Sequence, residues 1–100
     1  MTDADPIESS QKDAKAKNRL AALTENEDVI WLMSNKRGRR IVNRLLDRTG
    51  VYRLSFHTNA LQMAFNEGNR NLGNSLLAQI TVLCPERYTE LLNEARDKNE

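Results

Sequence analysis

A chain of 100 residues holds one small domain with a modest core and leaves no room for a second domain of ordinary size. The longest apolar run, residues 29–33, is far shorter than the roughly 18 to 20 residues that span a bilayer, and the N-terminus is acidic, so we expect a soluble protein without a secretion signal. The single cysteine, Cys84, excludes an intramolecular disulfide and a cysteine-based metal cluster.

The near-neutral net charge of +1 conceals an uneven distribution of charge along the sequence. Residues 1–28 contain seven acidic and four basic side chains, whereas residues 36–53 contain seven basic side chains and only one acidic side chain, Asp47. The middle of the chain is therefore strongly cationic, which favours binding to an acidic partner or to phosphate.

The N-terminal quarter has too little apolar surface for stable docking. Residues 1–10 are polar and predict a flexible tail, and the Ala- and Lys-rich residues 11–23 predict a weak helix that becomes ordered against a partner. Thr24 and Glu27 have the spacing of a capping box, which predicts that a helix over 26–33 starts here. Trp31 lies in an apolar run, so we expect it in the core. We divide the chain into an arm, 1–23, and a helical domain, 24–100.

The second predicted helix spans 36–49, with Ser34 or Asn35 as its N-cap and Gly50 as its C-terminal stop. At about 100° per residue, its apolar side chains share one face, and Gly38 lies within that face. A helix-interior glycine costs about 1 kcal/mol relative to alanine, so we expect close packing there. An adjoining face carries a row of four arginines, Arg37, Arg40, Arg44 and Arg48.

This row of arginines has three interpretations. Guanidinium groups in register suit phosphate, so the row could bind nucleic acid with a steep salt dependence. It could equally dock an acidic protein partner, including a neighbouring subunit, or simply be a solvated face. No aromatic residues are interleaved with the arginines, and no helix-turn-helix signature is complete, so we favour protein contact.

Residues 51–57 predict a connection anchored by Val51, Leu54 and Phe56. A long central helix follows over 59–83, capped by Thr58 or Asn59. Gly68 lies in the centre of one apolar stripe, and Gly73 lies on a second face, so we expect neighbours on two sides and a contact between Gly38 and Gly68. The stripe consists of Leu61, Phe65, Leu72, Leu76 and Leu83.

Pro85 ends the central helix and begins a last amphipathic helix over 86–97.

His57 and Cys84 lie at opposite ends of the central helix, roughly 35 to 40 Å apart at 1.5 Å per residue, so they cannot form a catalytic pair within one chain. We expect a capping or packing role for His57 and a buried structural Cys84. For Arg70, an ion pair with Glu67 is favoured over a ligand site.

Several short motifs resemble a family of small tailed-bacteriophage proteins encoded among head-assembly and portal genes. The likeness covers about residues 28–95, leaves 1–23 outside, and is strongest in Gly-Arg-Arg at 38–40 and Glu-Gly-x-Arg-Asn at 67–71. Further matching segments are Leu-Met-Ser at 32–34, Leu-Leu at 45–46, Gly-Val-Tyr at 50–52 and Pro-Glu-x-Tyr at 85–88. The resemblance implies a virion or morphogenesis component rather than an enzyme, and supplies no site residues.

These patterns predict an all-α fold, a small bundle of four helices around a long central helix, with a weak N-terminal helix or flexible arm. We expect a non-enzymatic bacteriophage structural or assembly protein, in the virion and, during assembly, in the host cytoplasm. Its expected partners are other virion proteins, such as portal, capsid or core, and further copies of itself. We expect no catalytic residues, cofactor, metal or small-molecule substrate. The alternative is a small nucleic-acid-binding protein that uses the arginine-rich face.

Overall fold

The structure, a computed structural model, describes residues 6–98 and contains four helices. They are α1 (Pro6–Met33), α2 (Lys36–Arg48), α3 (Ala60–Leu83) and α4 (Pro85–Lys98). No strand occurs between residues 6 and 98. The predicted all-α fold is therefore confirmed, with the long α3 in contact with each of the other three helices.

The N-terminal part of the chain forms one continuous helix, where two shorter elements were predicted. Thr24 lies inside α1 and its hydroxyl donates to the carbonyl of Leu20 at 2.9 Å, so the predicted capping box at Thr24 is wrong. The local propensity for a cap is overridden because the flanking Ala- and Lys-rich sequence is itself a good helix former. The predicted flexible tail is wrong from Pro6 onward, and residues 1–5 lie outside the described part.

The other helices follow their predicted boundaries closely because the capping residues are present. Asn35 and Asn59 are the N-caps of α2 and α3, and their side chains accept hydrogen bonds from the amides of Gly38 and Gln62 at 2.7 and 3.1 Å. Gly50 adopts φ +78° just beyond α2, a left-handed conformation that favours glycine. Pro85 starts α4 directly after Cys84.

The hydrophobic core is small and lies where the C-terminal end of α1 meets α2, α3 and α4. Its seven buried members are Met33, Val42, Leu46, Val51, Ile80, Cys84 and Leu91. Three predicted core residues lie outside it: Trp31 is 69% exposed, Leu54 is 92% exposed and Phe56 is also exposed. Only one side of α1 docks, through Val29, Leu32 and Met33, so Trp31 faces away. Of the three predicted anchors in the connection, only Val51 is buried.

The three helical glycines differ in their surroundings. Gly38 lies against the backbone carbonyl of Leu32, so a β-carbon at Gly38 would overlap it. Gly73 lies against the side chains of Thr49 and Val51, with equally little room. Gly68 is exposed and has no neighbour within 4 Å of the position of a β-carbon. Helix packing at Gly68, and its contact with Gly38, were therefore predicted wrongly.

Helix α3 buries the face around Gly73 and Ile80, with Leu77 beside it, and leaves the first half of its apolar stripe exposed. Leu61 is 84% exposed, and Phe65 and Leu72 also face outward, whereas Leu76 and Leu83 pack against the core. The prediction of neighbours on both sides of α3 fails at its N-terminal half. This half shares a cleft with the last turn of α2 and the connection after it, but the stripe residues Leu61, Phe65 and Leu72 remain exposed.

Candidate docking surface

Four arginines extend along the solvent side of α2. The side chains of Arg37, Arg40, Arg44 and Arg48 are all exposed, and we call them the arginine row. Helix α2 places them within roughly 80° of one another, because residues three and four positions apart fall on the same helix face. The row therefore offers four guanidinium groups to another molecule along about 16 Å of helix.

The position of this row is fixed by what the opposite face of α2 buries. Gly38 allows the first turn of α2 to approach the end of α1, and Val42 and Leu46 enter the core. At the C-terminal end, Thr49 donates to the carbonyl of Leu45 at 2.9 Å, and Gly50 turns the chain away. With one face held by the core, rotation of α2 cannot bury the arginines.

Arg39 belongs to the same basic segment but has a different role, because only 8% of its surface is exposed. Its Nη1 donates to the carbonyl of Met33 at 2.9 Å, and its Nε donates to Glu94 Oε1 at 2.8 Å. Its Nη2 lies 2.8 Å from Glu94 Oε1 and 3.4 Å from Glu90 Oε2. Arg39 thus links α1, α2 and α4 inside the protein.

From the sequence, Arg39 was one of the seven basic side chains expected to make the middle of the chain cationic, and its burial was not predicted. The signal was available, because on a helical wheel Arg39 lies about 20° from Leu46 and roughly 100° from the nearest member of the arginine row. A basic residue on the buried side of an amphipathic helix needs a partner, and the acidic Glu90 and Glu94 of α4 supply it.

Apolar side chains border the arginine row. Ile41 and Leu45 lie on the row side of α2 and are partly exposed, rather than in the core. On the other border, a groove of about 480 Å³ separates α2 from α4. Its lining combines basic, acidic and apolar residues: Lys36, Arg39, Arg40, Asn43, Arg44, Leu91, Glu94, Ala95 and Asp97. Arginine is one of the residues that are enriched at protein interfaces.

A second exposed apolar surface follows the outer side of α1, roughly 140° from the face that docks through Val29, Leu32 and Met33. We call it the outer stripe, and its members are Ala16, Leu20, Leu23, Ile30 and Trp31. Ala16, Leu20, Leu23, Glu27 and Ile30 are spaced alternately by four and three residues, the pattern of a coiled-coil seam.

The connection between α2 and α3 is held to α4 by a pair of tyrosines. The hydroxyls of Tyr52 and Tyr88 lie 2.7 Å apart. Burial, and then the hydrogen bond to Tyr88, raise the pKa of Tyr52 above its ordinary value, so the Tyr52 hydroxyl stays neutral under physiological conditions. The connection is therefore anchored by Val51 and Tyr52, and not by Leu54 or Phe56.

His57 and Cys84 fill structural positions at the two ends of α3. His57 Nδ1 accepts a hydrogen bond of 2.9 Å from the amide of Asn59, and Cys84 is buried in the core. Burial is the main reason that the pKa of the Cys84 thiol is raised, which disfavours the reactive thiolate. Glu67 pairs with Arg70 at 3.6 Å, as the i, i+3 spacing suggested.

Residues 6–98 contain no cluster of three or more histidine, cysteine, aspartate or glutamate side chains placed to hold a metal ion. Within the same range, no helix combines the length and the apolar composition that crossing a membrane requires.

Comparison with known proteins gives one match. No curated protein and no solved structure matches the chain. Residues 30–93, about two thirds of the sequence, match a family described as Bbp19-like phage protein. The match begins in the last turn of α1 and ends in α4, so it covers the core and the arginine row and omits most of α1. The chain belongs to the Bbp19-like phage protein family.

Proposed function

We propose that this phage protein is a non-enzymatic structural or assembly component that acts in several copies, bound to one another and to other virion proteins. The observation that carries the proposal is the ratio of exposed to buried apolar side chains. Seven hydrophobic residues form the core, whereas sixteen large ones are exposed on residues 6–98. Monomeric proteins expose single apolar residues freely, but contiguous apolar surfaces mark contacts with partners.

We propose a different partner for each of two exposed surfaces, the arginine row with its apolar border and the outer stripe of α1. The arginine row, with Ile41 and Leu45 at its border, docks an acidic surface of another virion protein. The outer stripe of α1 pairs with the outer stripe of a second copy. The assignment of α1 to self-association follows from its charges, because they favour one orientation of two α1 helices.

The net charge of α1 changes sign along its length. The first half contains four basic side chains, Lys12, Lys15, Lys17 and Arg19, against two acidic ones, Glu8 and Asp13, whereas the charged residues of the second half are all acidic, Glu25, Glu27 and Asp28. An antiparallel pair places the basic half of each helix beside the acidic half of the other, whereas a parallel pair sets like charges together. In the antiparallel register that puts Leu20 opposite Leu23, Glu27 falls opposite Ala16, within the basic half of the partner.

Self-association is tested by analytical ultracentrifugation of the full chain and of a variant that combines Leu20→Glu with Leu23→Glu. Both leucines are exposed, so the fold should survive, and four carboxylates at the seam of the pair should shift the protein to monomer. Ala22→Glu is the matched control, because Ala22 is exposed in the same turn but about 100° from Leu23. A wild-type monomer at high micromolar concentration, or equal loss of association with Ala22→Glu, would contradict the proposed pairing.

The place of the protein in the particle is tested by mass spectrometry of purified phage. We expect its peptides in the virion at a constant ratio to the major structural proteins. Assembly intermediates purified from the same infection are measured in the same way. A permanent subunit is present in both the intermediates and the virion, whereas a subunit that leaves before maturation is present only in the intermediates. Absence from both the virion and the intermediates would rule out a structural or assembly role.

A second candidate function, nucleic-acid binding, is favoured by the exposure of all four arginines of the row. Four phosphate contacts give a decrease in log K with log salt of slope about 3.6, and combined Arg40→Glu and Arg44→Glu should reduce this slope by about 2. Arg96→Glu, on the exposed side of α4, is the control of equal charge change per residue. If the wild type has no DNA affinity at low salt, this candidate fails.

A further inference from the structure

A small cleft lies at the C-terminal end of α2, between the connection that follows it and the first half of α3. Its volume is about 150 Å³. Pockets for metabolites and drug-sized molecules have volumes of roughly 300 to 1,000 Å³, so this cleft suits a single ion or a single functional group. Its lining residues are Arg48, Thr49, Gly50, Arg53, Leu54, Ser55, Asn66, Asn69 and Arg70.

The charge of the lining is entirely positive. Three arginines reach the cleft from three different segments: Arg48 from the last turn of α2, Arg53 from the connection and Arg70 from α3. No carboxylate is among the lining residues that the structure places around this cleft. Ser55, Asn66 and Asn69 add hydroxyl and amide donors, so the cleft presents hydrogen-bond donors to an anion.

The turn at Gly50 brings Arg53 back over α2. Gly50 has φ +78°, and the amide of Arg53 donates to the carbonyl of Gly50 at 3.1 Å. Arg53 Nη2 donates to the carbonyl of Asp47 at 2.6 Å, which fixes the guanidinium beside the cleft. Its ion pair with the Asp47 carboxylate is long, 3.9 Å, and both side chains are mostly exposed, so that pair neutralises Arg53 weakly.

Arg70 is incompletely paired inside the protein. Its Nη1 lies 3.6 Å from Glu67, beyond the 2.7–2.9 Å of a strong charge-assisted hydrogen bond. Its Nε is shielded from solvent and has no hydrogen-bond partner among the protein groups. A shielded guanidinium donor without an acceptor is unfavourable, so the contacts of Arg70 inside the protein leave its guanidinium incompletely satisfied.

We propose that this cleft binds one phosphate group, held by Arg48, Arg53 and Arg70. Guanidinium groups bind phosphate oxygens through paired hydrogen bonds, and three of them match the charge and the tetrahedral shape of the group. The phosphate can belong to free inorganic phosphate, to a terminal monoester or to the backbone of a nucleic acid. The proposal does not depend on the assembly role of the protein.

The first test titrates the full-length protein with inorganic phosphate by isothermal calorimetry and ³¹P NMR, in chloride buffer at constant ionic strength. We expect saturable binding with one site per chain, weakened at least tenfold by Arg70→Gln and by Arg53→Gln. Arg96→Gln is the control, because it removes the same charge from an exposed position on α4 that does not line the cleft. Circular dichroism identifies any variant that is unfolded. Arg53 lies in the exposed connection, so Arg53→Gln tests the cleft without changing a residue of α3.

Two results would overturn the proposal: absence of saturable phosphate binding by the wild type, or equal weakening by Arg96→Gln and Arg70→Gln, which would show only general charge attraction. The source of the phosphate is then identified by competition with short single-stranded oligonucleotides. Displacement by a 5′-phosphorylated oligonucleotide alone indicates a terminal monoester. Displacement by its unphosphorylated form as well indicates backbone phosphate, and displacement by neither indicates inorganic phosphate.

Discussion

The glycines of α2 and α3 show how much one missing β-carbon can decide about packing. All three lie in helix interiors, where glycine is less favourable than alanine by about 1 kcal/mol. At Gly38 and Gly73 the cost is offset by close contacts, with the Leu32 carbonyl and with Thr49 and Val51 respectively. At Gly68 no packing contact offsets it, since the surrounding space is open.

Substitution by alanine should therefore destabilise the protein at Gly38 and Gly73 and stabilise it at Gly68. Gly38→Ala and Gly73→Ala introduce a methyl group into occupied space and should lower the free energy of unfolding by about 1 to 3 kcal/mol. Gly68→Ala should raise it by up to about 1 kcal/mol, because alanine restricts the unfolded chain and nothing obstructs it in the helix. Urea denaturation of the three variants provides the measurement, with Gly68→Ala as the internal control.

If Gly68→Ala proved as destabilising as the other two, Gly68 would have to be covered by another part of the protein. Such a result would also restore the original expectation of a contact at this position.

Residue patterns predicted the exposure of the arginine row and the caps of α2 and α3 well, because both depend on neighbours in sequence. Asn35, Asn59 and Gly50 act locally, and the wheel position of the arginines follows from helix geometry alone. The helical wheel places Arg39 on the buried side of α2, but its partners Glu90 and Glu94 lie more than 50 residues away, and the exposure of Trp31 depends on which side of α1 docks. Such long-range pairing cannot be derived from local patterns.

At the scale of elements, α1 is the one that sequence patterns describe least well. A capping box and a polar start predicted two segments, whereas the helix is continuous from Pro6 to Met33. The misleading signal at Thr24 arises because Thr and Glu three residues apart are also compatible with a helix interior. Only the last turns of this helix contact the other helices, and residues 6–25 are exposed throughout.

This uneven docking predicts uneven hydrogen exchange along α1. Residues 7–22 are exposed throughout, and an isolated helix of about 15 residues is marginal in water, so their amides should exchange orders of magnitude faster than those of residues 29–33. Exchange followed by mass spectrometry at a low and a high protein concentration makes the measurement. Protection of residues 16–23 should increase at the higher concentration, as the proposed pairing of outer stripes becomes populated.

The Leu20→Glu and Leu23→Glu variant serves as the control in this experiment, because it should show no concentration dependence. Equal protection of residues 7–22 and 29–33 at every concentration would contradict the idea that α1 depends on a second copy.

At the scale of the whole molecule, the chain is elongated, with principal extents of 70 × 38 × 17 Å. An extended shape has much surface for its volume, which is why so few side chains are fully buried. The all-α class followed from the periodicity of the sequence, and so did the presence of α2, α3 and α4. The expectation that α3 is enclosed did not hold, because helical periodicity marks an apolar face without determining which other element of the chain covers it.

The contacts of Arg39 also connect the stability of α1 to that of the helices after it. The last turn of α1 contains no basic residue, so nothing within that turn balances the negative end of its helix dipole. Arg39 supplies that positive charge from α2 by donating to the Met33 carbonyl, and Glu90 and Glu94 of α4 hold the guanidinium in place. The end of α1 is thus electrostatically completed only when α2 and α4 have assembled, so these three elements form a single cooperative unit.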